Sequence, residues 1–363
     1  MASSHIGFSK GLKKLALYSR EVFIMSSIAG KELTGKRIVF VKKGEVSVED
    51  FKLRQLESDE VLIETVSTLI SPGTETAFLM ALPNTRGVFP QYPGYSNTGV
   101  VVATGSKVSE FKIGDRVASQ RNHASYVIAP ESIVLHVPES VSFDEAAFFT
   151  LGSIALQGVR KADIELGESV VVVGQGLVGQ LALQLAKLSG GMPVIGVDLY
   201  DFRLKVSLEN GADYVLNPSK VDLEKEVREI TGGKGADVVI EATGNPQAIP
   251  TALKLAAEYG RVVILGSPRG SCEVNFYPEV HKKGLWIIGA HASRRPRFES
   301  RHGWWTVKDD NRLVLKLIEK GLLKVKNLIT LKMSFKEAKD AYRKLMEEKD
   351  KVLGIILDWK AVE

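Results

Sequence analysis

Residues 169–198 read SVVVVGQGLVGQLALQLAKLSGGMPVIGVD. An apolar run over 169–173 predicts a buried parallel strand. It runs directly into Gly174-x-Gly176-x-x-Gly179, then an apolar helix, then a second strand ending at Asp198. That context makes the glycines a dinucleotide-binding fingerprint. Gly174 allows the tight turn, Gly176 lets the backbone approach a pyrophosphate, and Gly179 lets helix and strand pack closely. Leu177 and Val178 open a helix whose free N–H groups and positive dipole end face the phosphates. Asp198 lies nineteen residues beyond Gly179. A carboxylate there accepts both ribose hydroxyls of NAD and repels the 2′-phosphate of NADP, so NAD is the expected cofactor.

The elements around this unit fall into two patterns. Strand-like runs at 37–41, 61–68, 99–104 and 125–129 are separated by Pro and Gly turns, which predicts a β-rich unit. From about residue 153, strands at 169–173, 193–197, 214–216, 237–241, 261–265 and 286–289 alternate with helices near 177–188, 201–210, 221–231 and 246–258. Six strands with crossover helices predict an α/β, doubly wound parallel sheet. Gly211 sits where a C′ glycine ends the second helix. Ser142 with Glu145 and Ser334 with Glu337 have capping-box spacing. The helix after Ser334 carries Ala338, Tyr342, Leu345 and Met346 on one face, and a last apolar strand follows over 352–357. The expected division is an extension over 1–35, a catalytic unit over 36–152, the dinucleotide-binding unit over 153–291, and a return to the catalytic unit over 292–363.

Composition narrows the partners. The net charge of +5 is not gathered into a basic tail, which argues against nucleic acid. Cys272 is the single cysteine, so an intrachain disulfide and a multi-cysteine zinc site are both excluded. It fits a reducing compartment, and a cytoplasmic location is expected. No apolar run approaches the roughly 18 residues of a membrane span. Residues 1–27 are basic and apolar, with Glu21 their one acid. Either Met25 is the true start, or they are a loose extension, or they form an amphipathic targeting or surface helix.

With these units laid out, the chain resembles the medium-chain dehydrogenase/reductases over about residues 36–360. The resemblance rests on Phe111-Lys-Ile-Gly-Asp-Arg-Val117, Val171-Val-Val-Gly-Gln-Gly-Leu-Val-Gly179, Ile240-Glu-Ala-Thr-Gly244 and Val263-Ile-Leu-Gly-Ser267. It implies a GroES-like catalytic domain, a Rossmann domain and a cleft between them. Zinc-dependent members of that group bind metal through a Cys, a Gly-His-Glu, and a Cys or Glu. Here the first position falls at Ser71, the second reads Gly94-Tyr95-Ser96, and the third falls in Phe149-Thr150-Leu151-Gly152. None supplies a thiolate or an imidazole, so no metal is expected. The four-cysteine structural lobe is missing too. Ser71-Pro-Gly-Thr-Glu75 and Pro93-Gly-Tyr-Ser-Asn97 further resemble a subgroup that includes bacteriochlorophyllide dehydrogenase-like proteins, which suggests dehydrogenation of a secondary alcohol.

Without zinc, another group must polarise the substrate oxygen. The resemblance puts Tyr95 in the cleft, where it either donates a proton or fills the space of the lost metal. His123 reads as an exposed loop histidine or as a group at the cleft edge. Ser71 and Thr74 either hydrogen-bond a hydroxyl or form a local turn. Arg203 is spaced to lie near the adenine. Thr243, Gly244, Gly266 and Ser267 end the fourth and fifth strands, where the resemblance puts the nicotinamide half. His291, Arg294 and Arg295 follow the sixth strand, inside a stretch where Lys282, Lys283, Arg294, Arg295, Arg297 and Arg301 face only Glu299. In a cleft these would attract a carboxylate, a phosphate or a sugar acid; otherwise they are a solvated loop. Trp304 and Trp305 either wall a ring substrate or anchor that loop. Strand 286–289 is the edge at which relatives pair across a two-fold, so a homodimer is expected. The leading functional expectation is an NAD-dependent, zinc-independent dehydrogenase of a polar secondary alcohol, a polyol or sugar derivative. The alternatives are a quinone or enone reductase and a non-catalytic dinucleotide-binding protein.

Overall fold

The computed structural model describes residues 33–301 and 303–361, so the expected N-terminal extension lies almost wholly outside the described residues. Val170–Val173 is four valines, all buried. β-Branched side chains suit a strand covered on both faces. It lies inside a six-stranded, fully parallel sheet in the order Tyr214–Leu216, Val194–Val197, Val170–Val173, Ala236–Glu241, Ala256–Ile264, Trp286–Gly289. The strand order reverses between Val170–Val173 and Ala236–Glu241. Crossovers leave that point in opposite directions and open a crevice at the carboxyl ends. The crossover helices are Leu177–Leu188, Asp201–Glu209, Leu223–Ile230 and Ala248–Leu255. Gly211 stops the second of these at φ 102°.

The fourth helix ends three residues before the expected 258. Its last carbonyls are taken by a distant cation: Lys283 Nζ donates to the carbonyls of Leu253, Lys254 and Ala256 at 2.9–3.0 Å. Lysine at a helix C-terminus satisfies orphan carbonyls and opposes the dipole. Lys283 is therefore a cap, not part of a free cationic cluster.

A seven-stranded sheet forms the GroES-like unit. Its order is Ile329–Ser334, Gly354–Asp358, Glu60–Leu69, Asn97–Thr104, Arg116–Ser119, Leu135–His136, with Tyr126–Pro130 also pairing with Glu60–Leu69. All of its pairings are antiparallel except the first. Gly354–Asp358 thus carries the chain's tail back into the first unit. A hairpin, Thr34–Lys42 with Glu45–Lys52, leans on it through bridges at Arg37–Ala124 and Phe40–Gln91. The returning helix, Ala338–Glu347, lays Tyr342 edge-on against Phe40, ring centroids 5.1 Å apart. Both expected capping boxes are present, at Ser142/Glu145 and Ser334/Glu337.

Candidate active site

The fingerprint turn is built as its glycines require. Gly174 has φ 91°, a conformation that strains any side chain. A Cβ on Gly179 would lie 1.7 Å from the Gly174 carbonyl oxygen, so helix and turn touch backbone to backbone. A Cβ on Gly176 would meet nothing within 4 Å, which leaves that side of the turn open for a ligand. Asp198 is held at the turn: its carboxylate accepts from Gln175 N at 2.7 Å and Tyr200 N at 3.0 Å. Arg203 Nη1 lies 3.7 Å from Asp198, and the same guanidinium sits 4.9 Å from the Tyr200 ring centroid. Leu177 is buried and Val178 is partly open. Across the switch point, Glu241 ends its strand as a fully buried carboxyl. It accepts from Thr243 N at 2.7 Å and from the Thr243 hydroxyl, which fixes the Thr243–Gly244 turn. Burial pushes the Glu241 carboxyl above its ordinary range. Gly266 packs against that turn, where a Cβ would sit 2.3 Å from Gly244 N. An open glycine turn, a helix N-terminus and a fixed carboxylate together fit a dinucleotide.

The second centre lies on helix Pro72–Leu79, which has Pro at its start and Glu75 in its first turn. Glu75 is only 3 % exposed, and both of its oxygens are filled. Oε1 accepts from Ser71 N at 2.8 Å, while Oε2 meets His123 Nε2 at 2.9 Å and accepts from the Tyr342 hydroxyl. His123 is fully buried, which corrects its reading as an exposed loop histidine. The loop is pinned to the interior by its backbone, His123 N to Pro93 O at 2.9 Å and Ile38 N to His123 O at 3.0 Å. Gly94, at φ 98°, lets the chain pass over the imidazole; a Cβ there would lie 2.7 Å from the ring. His123 Nδ1 has no partner.

Tyr95 follows directly. It packs against the apolar cluster that includes Leu177 of the fingerprint helix, and its carbonyl accepts from the Thr150 hydroxyl at 2.9 Å. Part of the residue remains open. Burial first, and the Glu75 carboxylate second, push its phenol up to about 12; hydrogen bonding with Ser71 and Thr74 and the charge of Arg269 pull the other way. Four groups named from sequence — Ser71, Thr74, Tyr95 and His123 — therefore gather around Glu75.

The positions corresponding to zinc ligands offer no thiolate or imidazole. Ser71, Tyr95 and Thr150 offer hydroxyl and phenol oxygens, and both oxygens of the nearby carboxylate are already taken. Zinc sites are built from thiolates, imidazoles and carboxylates. Among the described residues no cluster of three His, Cys, Asp or Glu could hold a metal.

The cationic segment after strand Trp286–Gly289 does something other than expected. Arg295, with 4 % of its side chain exposed, donates to the Ser153 hydroxyl at 2.6 Å, the Ser153 carbonyl at 2.7 Å and Gln157 Oε1 at 3.1 Å. It also lies 3.5 Å from Asp310, which Arg160 holds at 3.0 Å. A buried charge demands such partners, so Arg295 ties the loop to helix Phe149–Ala162 and is no free arm for substrate. His291 turns onto Ser293 Oγ at 2.8 Å, and the Arg294 carbonyl takes a bond from Gln157. Trp305 and Trp304 stack under Arg160 and Lys161, at 4.0 and 5.6 Å, and so anchor the loop.

Comparison with known proteins agrees with this architecture. The family model described as alcohol dehydrogenase GroES-like domain matches residues 57–139, and that described as zinc-binding dehydrogenase matches 178–304. D-guloside 3-dehydrogenase of Escherichia coli (strain K12) is 31% identical over 254 residues, covering 69% of this chain and 72% of its own. The chain belongs to the medium-chain dehydrogenase/reductase superfamily. It is an alcohol dehydrogenase-like, dinucleotide-dependent oxidoreductase. Sorbitol dehydrogenase of Bacillus subtilis (strain 168) is 24% identical over 357 residues, 89% of this chain and 96% of its own. A short chain alcohol dehydrogenase of Escherichia coli CFT073, solved with NADH, shares the fold at TM-score 0.77 and 21% identity, covering 90% of this chain and 99% of that one. The match described as zinc-binding spans the dinucleotide half and not the positions of Ser71, Tyr95 or Thr150.

Three members of the site were missed as functional residues. In the sequence Glu75 is only the last residue of the Ser71-Pro-Gly-Thr-Glu75 motif, where no helix was expected. Tyr342 reads as one apolar position of a helix face. Arg269 had no pattern to mark it. The available signal was Glu75 itself, four residues after a serine at a metal-ligand position.

Proposed function

We propose that this enzyme oxidises a polyhydroxylated secondary alcohol with NAD and without zinc, Tyr95 bonding the reacting oxygen. The observation that carries the reading is Tyr95 at the position of the metal-binding histidine, beside the buried Glu75–His123 pair. The names of the D-guloside and sorbitol dehydrogenases support a polyhydroxylated substrate.

When bound, the nicotinamide supplies hydride acceptance; the alcohol becomes a ketone and one proton is released. Asp198 receives the adenosine ribose, and the open face of Gly176 receives the pyrophosphate. Tyr95, kept protonated by burial and by Glu75, donates to the substrate oxygen and holds the carbinol in place. Ser71 and Thr74 lie close enough to act on the phenol and flank it on the side of the reacting oxygen. The proton lost from the substrate hydroxyl leaves to solvent, and the buried Glu75–His123–Tyr342 network behind Tyr95 holds the Ser71 helix start and the His123 loop in place. The exposed edge strand Trp286–Gly289, with Trp286 67 % exposed, supports a homodimer built by pairing that edge.

The cofactor reading has its own test. Asp198→Ala is expected to raise the KM for NAD⁺ about tenfold or more, the cost of losing charge-assisted bonds. It should also narrow the preference over NADP⁺ by relieving repulsion. Steady-state kinetics with both cofactors measures this. An unchanged preference would mean that Asp198 does not read the ribose.

A further inference from the structure

Leu265-Gly266-Ser267-Pro268-Arg269 carries the chain from strand Ala256–Ile264 across to the GroES-like unit. The crossing is held at Asn84: its Nδ2 donates to the Pro268 carbonyl at 2.9 Å, and its own carbonyl accepts from Arg269 Nη1 at 3.2 Å. The guanidinium thereby stands 6.0 Å from the ring centroid of Phe78. Phe78 is four residues after Thr74 on helix Pro72–Leu79, so both lie on one face of that helix. Arg269 is thus fixed over the face that carries Thr74, and its charge acts on Tyr95.

An arginine has five N–H donors. The contacts of Arg269 with described residues use one of them, and no carboxylate among those residues pairs with it. Burial without a counter-charge lowers its affinity for its proton. By contrast Arg295, expected from sequence to bind an anion, is filled by Asp310, Ser153 and Gln157. Arg269, unlike Arg295, keeps most of its donors unfilled by described residues.

We propose that Arg269 determines specificity in this site by receiving a carboxylate on the polyol, so that the preferred substrates are sugar acids rather than neutral polyols. This rests on the reading of Tyr95 as the group at the reacting oxygen. A planar carboxylate matches the guanidinium fork in two parallel hydrogen bonds. A single guanidinium beside Tyr95 offers one fork, which the two oxygens of a carboxylate fill. Asn84 and Phe78 position the guanidinium and leave its remaining donors for the ligand.

The test compares D-gluconate with sorbitol, which differ at one end by carboxylate against carbinol. Binding of each to the NADH-saturated full-length protein is measured by titration calorimetry, and turnover with NAD⁺ is measured separately. The expected result is gluconate binding at least tenfold tighter than sorbitol. Arg269→Gln should weaken gluconate about 10- to 100-fold, leaving sorbitol and the Kd of NADH within about twofold. Arg269→Lys, which keeps the charge but not the fork, should fall between. Equal affinities in the unaltered protein, no binding of either compound, or an equal loss of NADH affinity in Arg269→Gln would each overturn the assignment. Selective gluconate binding with no turnover of any alcohol would instead overturn the reading of Tyr95 and leave Arg269 standing.

Discussion

Replacing Tyr95 with phenylalanine is expected to lower kcat by about 10²- to 10⁴-fold, the usual range for loss of a positioned proton donor. KM for the alcohol should change far less, because the ring and its packing against the cluster around Leu177 remain. The phenol is pushed up from its ordinary 10.0 to about 12 by burial and by Glu75. A raised phenol stays protonated as pH climbs through the ordinary tyrosine range. Its hydrogen bond is therefore intact at neutral pH and fails only as the folded value is approached. In the unaltered enzyme, kcat against pH should show no falling limb near 10. A kcat only a few-fold lower in Tyr95→Phe would mean that the tyrosine fills the volume of an absent metal and no more.

Removing the Glu75 carboxylate should unbalance the whole buried centre. Glu75→Ala leaves Ser71 N, the Tyr342 hydroxyl and His123 Nε2 without their acceptor, in a place where water is excluded. Breaking a buried polar pair from one side costs about 3–5 kcal/mol, and that loss is the expected result in urea unfolding. Glu75→Gln should cost less. The amide oxygen can still accept from Ser71 N, and its NH₂ can face His123 Nε2 once the imidazole proton moves to Nδ1. A loss below about 1 kcal/mol in Glu75→Ala would mean that the network contributes little to the fold. The centre also predicts alkaline sensitivity. Tyr342, like Tyr95, is raised chiefly by burial and further by Glu75. A phenol that holds its proton more tightly when folded contributes stability below its unfolded value near 10, and loses it as pH rises toward the folded value.

The cofactor half was legible in the sequence because its constraints are local. A run of valines, glycines at fixed offsets and an acid at a fixed distance each answer to backbone geometry within thirty residues. Once six strands with crossover helices are recognised, a parallel, doubly wound sheet follows. The hairpin strand Glu45–Lys52 was missed because its face is half open and carries Glu45, Glu49, Asp50 and Lys52, leaving little apolar alternation. The second centre was legible only in pieces. Ser71 and Tyr95 announced themselves by standing where ligands stand in zinc-dependent relatives. Glu75 and Tyr342 are 267 residues apart and meet because the tail strand Gly354–Asp358 returns to Glu60–Leu69. No spacing rule reaches that far. The cationic run 281–302 misled for a related reason: charge density along a chain does not tell which cation finds a buried acid. Arg295 finds Asp310 and Lys283 finds a helix end, while Arg269, whose guanidinium hydrogen-bonds only Asn84 among the described residues, stands alone in its segment.

The claim that tyrosine has taken over from metal in this enzyme is tested most directly by assaying chelator-stripped protein for NADH formation from NAD⁺ and a panel of polyols and sugar acids, with bound zinc measured in the same samples. Full activity in protein free of zinc, unchanged when zinc is added back, is the predicted result. Activity lost on chelation and restored by zinc would contradict it.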